Sequence, residues 1–99
     1  VAGEGLSPWG FATVLGRVKN PGRIAIPATR DMTVSGAIQK TGGYATSAKE
    51  SAILVTRLLP DGRTETRTIN LKAVGTAGRL EEDIVLEAND VVFVPEAMF

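Results

Sequence analysis

The sequence predicts an α+β fold in which one main helix lies across a mixed β-sheet. Residues 11–19 and 23–27 alternate between apolar and polar side chains, which is the period of a β-strand. The period lengthens to three and four residues between Thr33 and Thr41, as expected of a helix. Later apolar runs are short and separated by turn residues, which favours further strands.

The composition limits the chemistry open to this segment. A length of 99 residues and a hydrophobic fraction of 43% fit one domain with its own core. The 11 basic and 11 acidic residues leave no net charge, which argues against a nucleic-acid partner. Cysteine and histidine are absent, which excludes disulfides, thiolate or histidine metal sites and histidine-dependent triads here. We therefore expect no cofactor, and the short apolar runs predict no membrane insertion.

The first strands form a hairpin around Asn20-Pro21-Gly22, because proline presets the backbone for a turn and glycine tolerates positive φ. Gly16 interrupts the first strand, which indicates a bulge or a close backbone approach. Residues 1–10 are rich in Gly, Ser and Pro and are interpreted as a linker, so residues 11–99 form the single domain. Val1 is not an initiator Met and no signal segment follows it, so we expect a piece of a longer or processed protein.

The helix is predicted to begin after an N-cap residue and to end at a glycine. Thr33 is a favourable N-cap, and Val34, Ala37, Ile38 and Thr41 share one face. Gly42 then supplies the left-handed residue that commonly ends a helix.

The second half predicts another hairpin and a final strand. Residues 51–59 are apolar on both predicted faces, which indicates a central strand covered on both sides. Pro60-Asp61-Gly62 is a turn, and residues 64–70 form a polar strand that lies either at an edge of the sheet or on a face open to water. Residues 71–74 are expected to form one helical turn, residues 75–83 a loop, and residues 91–95 a buried last strand. With the last strand in the middle of the sheet, this order is the β-grasp (ubiquitin-like) arrangement with a short helical or irregular crossover.

The best candidate for ligand contact follows the helix. This glycine loop (residues 41–47) combines paired glycines, expected to expose backbone N–H groups, with hydroxyls and one aromatic ring. Its candidate ligand-binding residues are Thr41, Gly42, Gly43, Tyr44, Thr46 and Ser47. A phosphate loop would precede its helix, so nucleotide binding is not expected. Tyr44 has an alternative role as a ring packed beneath the loop.

Two other groups form candidate interaction surfaces. The first hairpin carries Arg17, Lys19 and Arg23. These basic side chains either form a solvated face that keeps the edge of the hairpin from aggregating, or they contact an anionic glycan or an acidic neighbour. Trp9 either packs on the edge of the core or contacts a sugar or partner. The acidic segment (residues 81–90) resembles an oxygen-ligand calcium site only superficially, so we interpret it as a solvated loop without metal or catalytic carboxylates.

The ordered set of these motifs resembles one family. Residues 14–22, VLGRVKNPG, resemble the opening hairpin of soluble-ligand-binding β-grasp (SLBB) domains. Residues 33–43 resemble the family's helix ending in two glycines, residues 48–57 its next strand, and residues 83–95 its closing strand. Thr41 and Asn89 depart from this pattern, since alanine and glycine are usual there.

The resemblance implies a non-catalytic binding or assembly module. Such domains are best known from bacterial polysaccharide export proteins, which handle capsule or exopolysaccharide on the periplasmic side of the outer membrane. The expected partners are then polysaccharide, neighbouring domains of the same exporter, and further copies in a homo-oligomer. The alternatives are a domain that binds a small cobalamin-type ligand and a ubiquitin-like interaction module of another assembly.

The charges are unevenly distributed along the chain. The first 50 residues carry six basic and three acidic side chains, whereas the remaining residues carry five basic and eight acidic ones. This separation indicates either two differently charged faces of one domain or a head-to-tail contact between copies.

Overall fold

A computed structural model describes residues 10–97 of the chain. Its five strands form one mixed sheet, and two helices complete an α+β fold of the β-grasp type, as predicted. The strands are β1 (Gly10–Gly16), β2 (Gly22–Ile26), β3 (Ile53–Leu58), β4 (Thr64–Ile69) and β5 (Val91–Val94). The helices are α1 (Val34–Lys40) and α2 (Leu71–Ala77), and Glu50–Ala52 and Leu80–Glu82 form short 3-10 turns.

The sheet has the order β2-β1-β5-β3-β4, so the last strand lies at its centre. β5 runs parallel to β1 and antiparallel to β3, while each outer strand pairs antiparallel with its hairpin neighbour. The central position of β5 was predicted, and the edge position of β4 was one of the two alternatives considered for that strand. β1 begins at Gly10, the last residue of the predicted linker.

The hydrophobic core lies between one face of the sheet and α1. The predicted helix face is confirmed, because all four of its side chains are buried and Thr33 caps the helix through Gly36 N–H. The largest fully buried apolar side chains are Val14, Ile26, Val34, Ile38, Ile53, Leu86, Val92 and Val94.

Gly16 marks the close approach that its position in the strand predicted. Its φ is 90°, and a Cβ built on it would lie 2.1 Å from the carbonyl oxygen of Val94. Only a residue without a side chain allows β1 and β5 to meet here.

Two predictions about the second half were wrong. β3 is covered on one face only, because Leu54 and Thr56 are half-buried and Leu58 is 60% exposed on the other face. The crossover contains a two-turn helix, α2, rather than the single turn expected at residues 71–74, and a second 3-10 turn replaces part of the predicted loop. Asn70 caps α2 and Gly78, with φ 66°, ends it, whereas Gly75 is tolerated within the helix because nothing crowds it.

Candidate functional site

The glycine loop begins as the termination of α1. Gly42 and Gly43 have φ values of 91° and 94°, which confirms the left-handed stop predicted at Gly42. The Gly42 N–H donates to the Gln39 carbonyl and the Gly43 N–H to the Ile38 carbonyl, each at 3.0 Å. These bonds form a Schellman motif. Both N–H groups are therefore used by the helix, contrary to the expectation that the glycines would present them to a ligand.

The loop is joined to the tip of the first hairpin. The Lys19 N–H donates to the Gly43 carbonyl at 3.1 Å, and the Ala45 N–H donates to the Arg17 carbonyl at 2.9 Å. The Arg17 side chain pairs with Glu96 at 2.9 Å, with both side chains about half exposed. The structure thus brings Arg17 and Lys19 beside the glycine loop and fixes the loop backbone.

Two of the predicted ligand residues face inward. Thr41 is 2% exposed, and its hydroxyl donates to the Ile38 carbonyl at 2.6 Å, so it caps the helix. Tyr44 packs against the hydrophobic core, which is the alternative role considered for it. Burial, together with the negative charges of Glu50 and Asp83, raises the pKa of Tyr44 to about 12.

The outward part of the loop leads into an open cleft. Thr46 is exposed, and Ser47 has the left-handed φ of 66° while its carbonyl accepts a 2.7 Å hydrogen bond from Ala97. The lysine cleft (Ser47, Lys49, Ser51 and Lys72) follows, with a volume of about 340 Å³. Glu50 also lines it, beside two lysines and two hydroxyls.

The lysine cleft was not predicted from sequence. Lys49 and Ser51 follow the loop closely in sequence, but Lys72 lies in α2, which contacts the 3-10 turn at Glu50–Ala52 only in the folded chain. The weak apolar pattern of residues 71–77 gave no sign of the orientation of Lys72.

Arg23 is separated from the other two hairpin basics. It pairs with Thr13 across the β1–β2 ladder, and its guanidinium carbon lies 4.4 Å from the centre of the Phe11 ring. The structure therefore places Arg23 on the open face of the sheet, whereas Arg17 and Lys19 flank the glycine loop. Trp9 lies outside the described residues.

The acidic segment is not simply solvated, which corrects the sequence interpretation. Asp90 is fully buried, accepts three hydrogen bonds from the Nε and Nη2 atoms of Arg57, and also accepts one from the Glu87 N–H at 2.9 Å. Asp83 accepts hydrogen bonds from the backbone and the hydroxyl of Ser35, in the first turn of α1. These carboxylates hold the fold together, and within residues 10–97 no cluster of acidic side chains is arranged to hold a metal ion.

One family has the arrangement described here. Its features are a last strand at the centre of the sheet, a helix that ends in two glycines, and a hairpin tip hydrogen-bonded to the loop after that helix. A model of the SLBB domain matches residues 11–94. The chain belongs to the SLBB domain family. A search of curated proteins found no match. SLBB domains are binding modules rather than a known enzyme family. In the described part of this SLBB domain, no helix is long and apolar enough to cross a membrane.

Proposed function

We propose that this SLBB domain is a non-catalytic binding and assembly module of a polysaccharide export protein, for capsule or exopolysaccharide. Its proposed location is the periplasmic side of the bacterial outer membrane, and its proposed partners are the glycan, neighbouring domains and further copies. The ordered motif resemblance supports the exporter context. The observation that carries the binding role is the lysine cleft beside the glycine loop.

The cleft suits an acidic glycan for two reasons. Lys49 and Lys72 supply positive charge, and Ser47 and Ser51 supply hydroxyls that hydrogen-bond to sugar hydroxyls and carboxylates. Because the hydrogen bonds to the hairpin tip and to Ala97 order the adjacent loop, little conformational entropy is lost on binding. Affinity for one domain remains low, since the cleft is open and many copies acting together supply avidity.

The second candidate function is binding of a small cobalamin-type ligand. Cofactor sites bury most of a ligand among predominantly apolar side chains. Five of the seven residues that line the lysine cleft instead carry a charged or hydroxyl group and the other two are alanines, so its chemistry favours a glycan.

The test is an NMR titration of the 99-residue chain with an oligogalacturonate and with a neutral maltooligosaccharide. We expect the acidic sugar to shift the amides of Ser47, Lys49 and Lys72, with weaker effects at higher salt. Lys49→Gln combined with Lys72→Gln should abolish these shifts. Lys40→Gln is the matched control, because Lys40 is an exposed lysine of α1 that does not line the cleft.

Tight cobalamin binding without a response to either sugar would favour the small-ligand function. A response to neither class would leave assembly as the only role of the module.

A further inference from the structure

The outer face of the sheet, opposite α1, is almost free of charge. Its central part is apolar, and Phe11, Leu15 and Phe93 are each about 40% exposed there. Among the strand residues on this face in the described chain, Arg23 alone is charged, and it lies over Phe11. The remaining outward residues are Thr13, Ala25, Leu54, Thr56, Leu58, Thr64, Thr66, Thr68 and Val91. A sheet face that meets only water is usually polar, so the apolar side chains at the centre of this face favour contact with another surface.

The strand register arranges these side chains in three rows across the sheet. The first row contains Leu15, Phe93, Leu54 and Thr68, which are successive cross-strand partners. The second contains Arg23, Thr13, Val91, Thr56 and Thr66, and the third contains Ala25 and Phe11 on one hairpin with Leu58 and Thr64 on the other. β5 divides each row, with β1 and β2 on one side and β3 and β4 on the other.

We propose that this outer face binds the outer face of a second copy of the chain, about a two-fold axis nearly parallel to β5. Such an axis places β5 over β5, β1 over β3 and β2 over β4 of the other copy, because it exchanges the two sides of the sheet. The rotation leaves each row at the same height along the strands, so each row of one copy faces the same row of the other. Phe93 then meets Phe93, Leu15 meets Leu54, and Phe11 meets Leu58.

The polar side chains match as well. In the same arrangement Thr13 faces Thr56, and Arg23 faces the threonine row of β4 at Thr66 rather than another cation. Apolar groups thus face apolar groups and hydroxyls face hydroxyls, which is the self-complementarity that an isologous interface requires. Two sheets packed face to face with nearly aligned strands are a common arrangement, at a separation of about 10 Å.

A two-fold axis that is perpendicular to the strands and passes through the second row, at the middle of the face, fits less well. It would place β2 over β2, so that Arg23 of one copy approaches Arg23 of the other. It would also place Phe93 over the turn before β5 instead of over a second ring. Charge and shape therefore favour the first axis over this one.

The size of the face sets the strength of the contact. Five strands span about 19 Å, and the five residues from Phe11 to Leu15 span about 13 Å, since strands are spaced about 4.8 Å and rise about 3.3 Å per residue. This footprint is well below the roughly 800 Å² that each partner buries in a standard interface. We expect a weak dimer with a Kd on the order of 10⁻⁴ M, which additional contacts in a larger assembly would strengthen.

The experiment is sedimentation equilibrium of the 99-residue chain at concentrations up to about 1 mM, without any glycan. The wild type should self-associate, and Phe93→Lys should shift it to monomer. Leu80→Lys is the control, because Leu80 is more exposed than Phe93 but lies outside the sheet. Circular dichroism and thermal melting establish that each variant is folded.

A mixing test addresses the axis itself. Leu15→Glu and Leu54→Lys should each be monomeric alone, whereas their mixture should form a heterodimer, because the two-fold axis brings position 15 of one copy to position 54 of the other. Three results would overturn the proposal: a wild type that stays monomeric, association that survives Phe93→Lys, or mixed variants that fail to associate. The proposal goes beyond the glycan function, and since no glycan is present the two can fail separately.

Discussion

The glycine loop and the acidic segment both lie at the surface, yet they are ordered by different means. The glycine loop is held by backbone hydrogen bonds that require left-handed φ values at Gly42 and Gly43. The acidic segment is held by carboxylates, chiefly those of Asp83 and Asp90, which bind groups on α1 and β3. A loop rich in glycines and hydroxyl groups, which are typical of ligand-binding loops, can therefore serve the fold alone. Likewise, an acidic side chain identified in a sequence need not be exposed to solvent. The difference between the two regions also predicts that the first is sensitive to an added Cβ and the second to a lost charge.

Asp90→Ala should have the largest effect, because it removes the buried carboxylate that holds the acidic segment to β3. Within residues 10–97 it leaves Arg57 with the exposed Glu87 as its one remaining ion-pair partner, and it removes the acceptor of the Glu87 backbone N–H. We expect a loss of about 3 kcal/mol in the free energy of unfolding, measured by urea denaturation. Glu81→Ala in the same segment is the control and should change it by less than about 0.5 kcal/mol, since Glu81 makes only an exposed contact with Arg79. Equal effects would contradict a structural role for Asp90.

Gly42→Ala tests the glycine side. The left-handed backbone costs a residue with a Cβ about 1–2 kcal/mol. At Gly42 the new Cβ would also lie 3.0 Å from the Asn20 Nδ2 atom, whereas at Gly43 nothing lies within 4 Å. Gly42→Ala should therefore destabilise more than Gly43→Ala, with losses of about 2 and 1 kcal/mol in the same urea measurement. The reverse order would show that the hairpin tip does not confine the loop.

Asp83→Asn tests the charge of the second tie in the acidic segment, because it removes the charge of Asp83 while retaining the shape of its side chain. The amide keeps one acceptor for Ser35 but loses the charge-assisted bonds, so we expect a loss of about 1 kcal/mol and faster hydrogen exchange in the first turn of α1. Asp31→Asn is the control, because Asp31 is exposed and accepts a hydrogen bond from the nearby hydroxyl of Thr29, not from a group of α1. If the control destabilises as much, the effect comes from general charge and not from the tie to α1.

Tyr44 belongs to the glycine loop, and Asp83 of the acidic segment influences its pKa. Ionisation of Tyr44 should have the smallest effect on stability of the changes considered. Its pKa is raised to about 12, mainly by burial and in part by Glu50 and Asp83. The folded state therefore favours the neutral phenol of Tyr44. Below about pH 10 the phenol is neutral in the unfolded chain as well, so its ionisation does not affect stability there. As the pH rises from about 10 toward 12, the phenol ionises more readily in the unfolded chain and stability declines. Absorbance titration is unambiguous because the chain contains one tyrosine. A midpoint near 10 would mean that the ring is not packed beneath the loop.

The sequence predicted most features that depend on local pattern. The helix from its cap at Thr33 to its stop at Gly42, the hairpin turns and the central last strand each follow from spacing and turn chemistry. The close approach at Gly16 was also predictable, since a glycine within a strand has few other reasons to be there.

Features that depend on distant partners were not predictable. The pairing of Asp90 with Arg57 joins residues that lie 33 positions apart, and no local pattern distinguishes Asp90 from an exposed acid. The apolar side chains of β3 were interpreted as buried on both faces, because sequence shows which residues are apolar but not whether a covering layer exists. For the same reason the inward orientation of the Thr41 hydroxyl and the contribution of Lys72 to the lysine cleft appear only in the folded chain.

The central position of β5 has a consequence for how the molecule forms. The two hairpins, β1–β2 and β3–β4, have no strand pairing with each other, and each is joined to the other half of the sheet through residues 91–94. A ribosome therefore releases both hairpins before it supplies the strand that unites them. Folding of this domain must await the near-completion of its synthesis, and until then two unpaired strand edges and their apolar side chains stay open to chaperones or to misassembly.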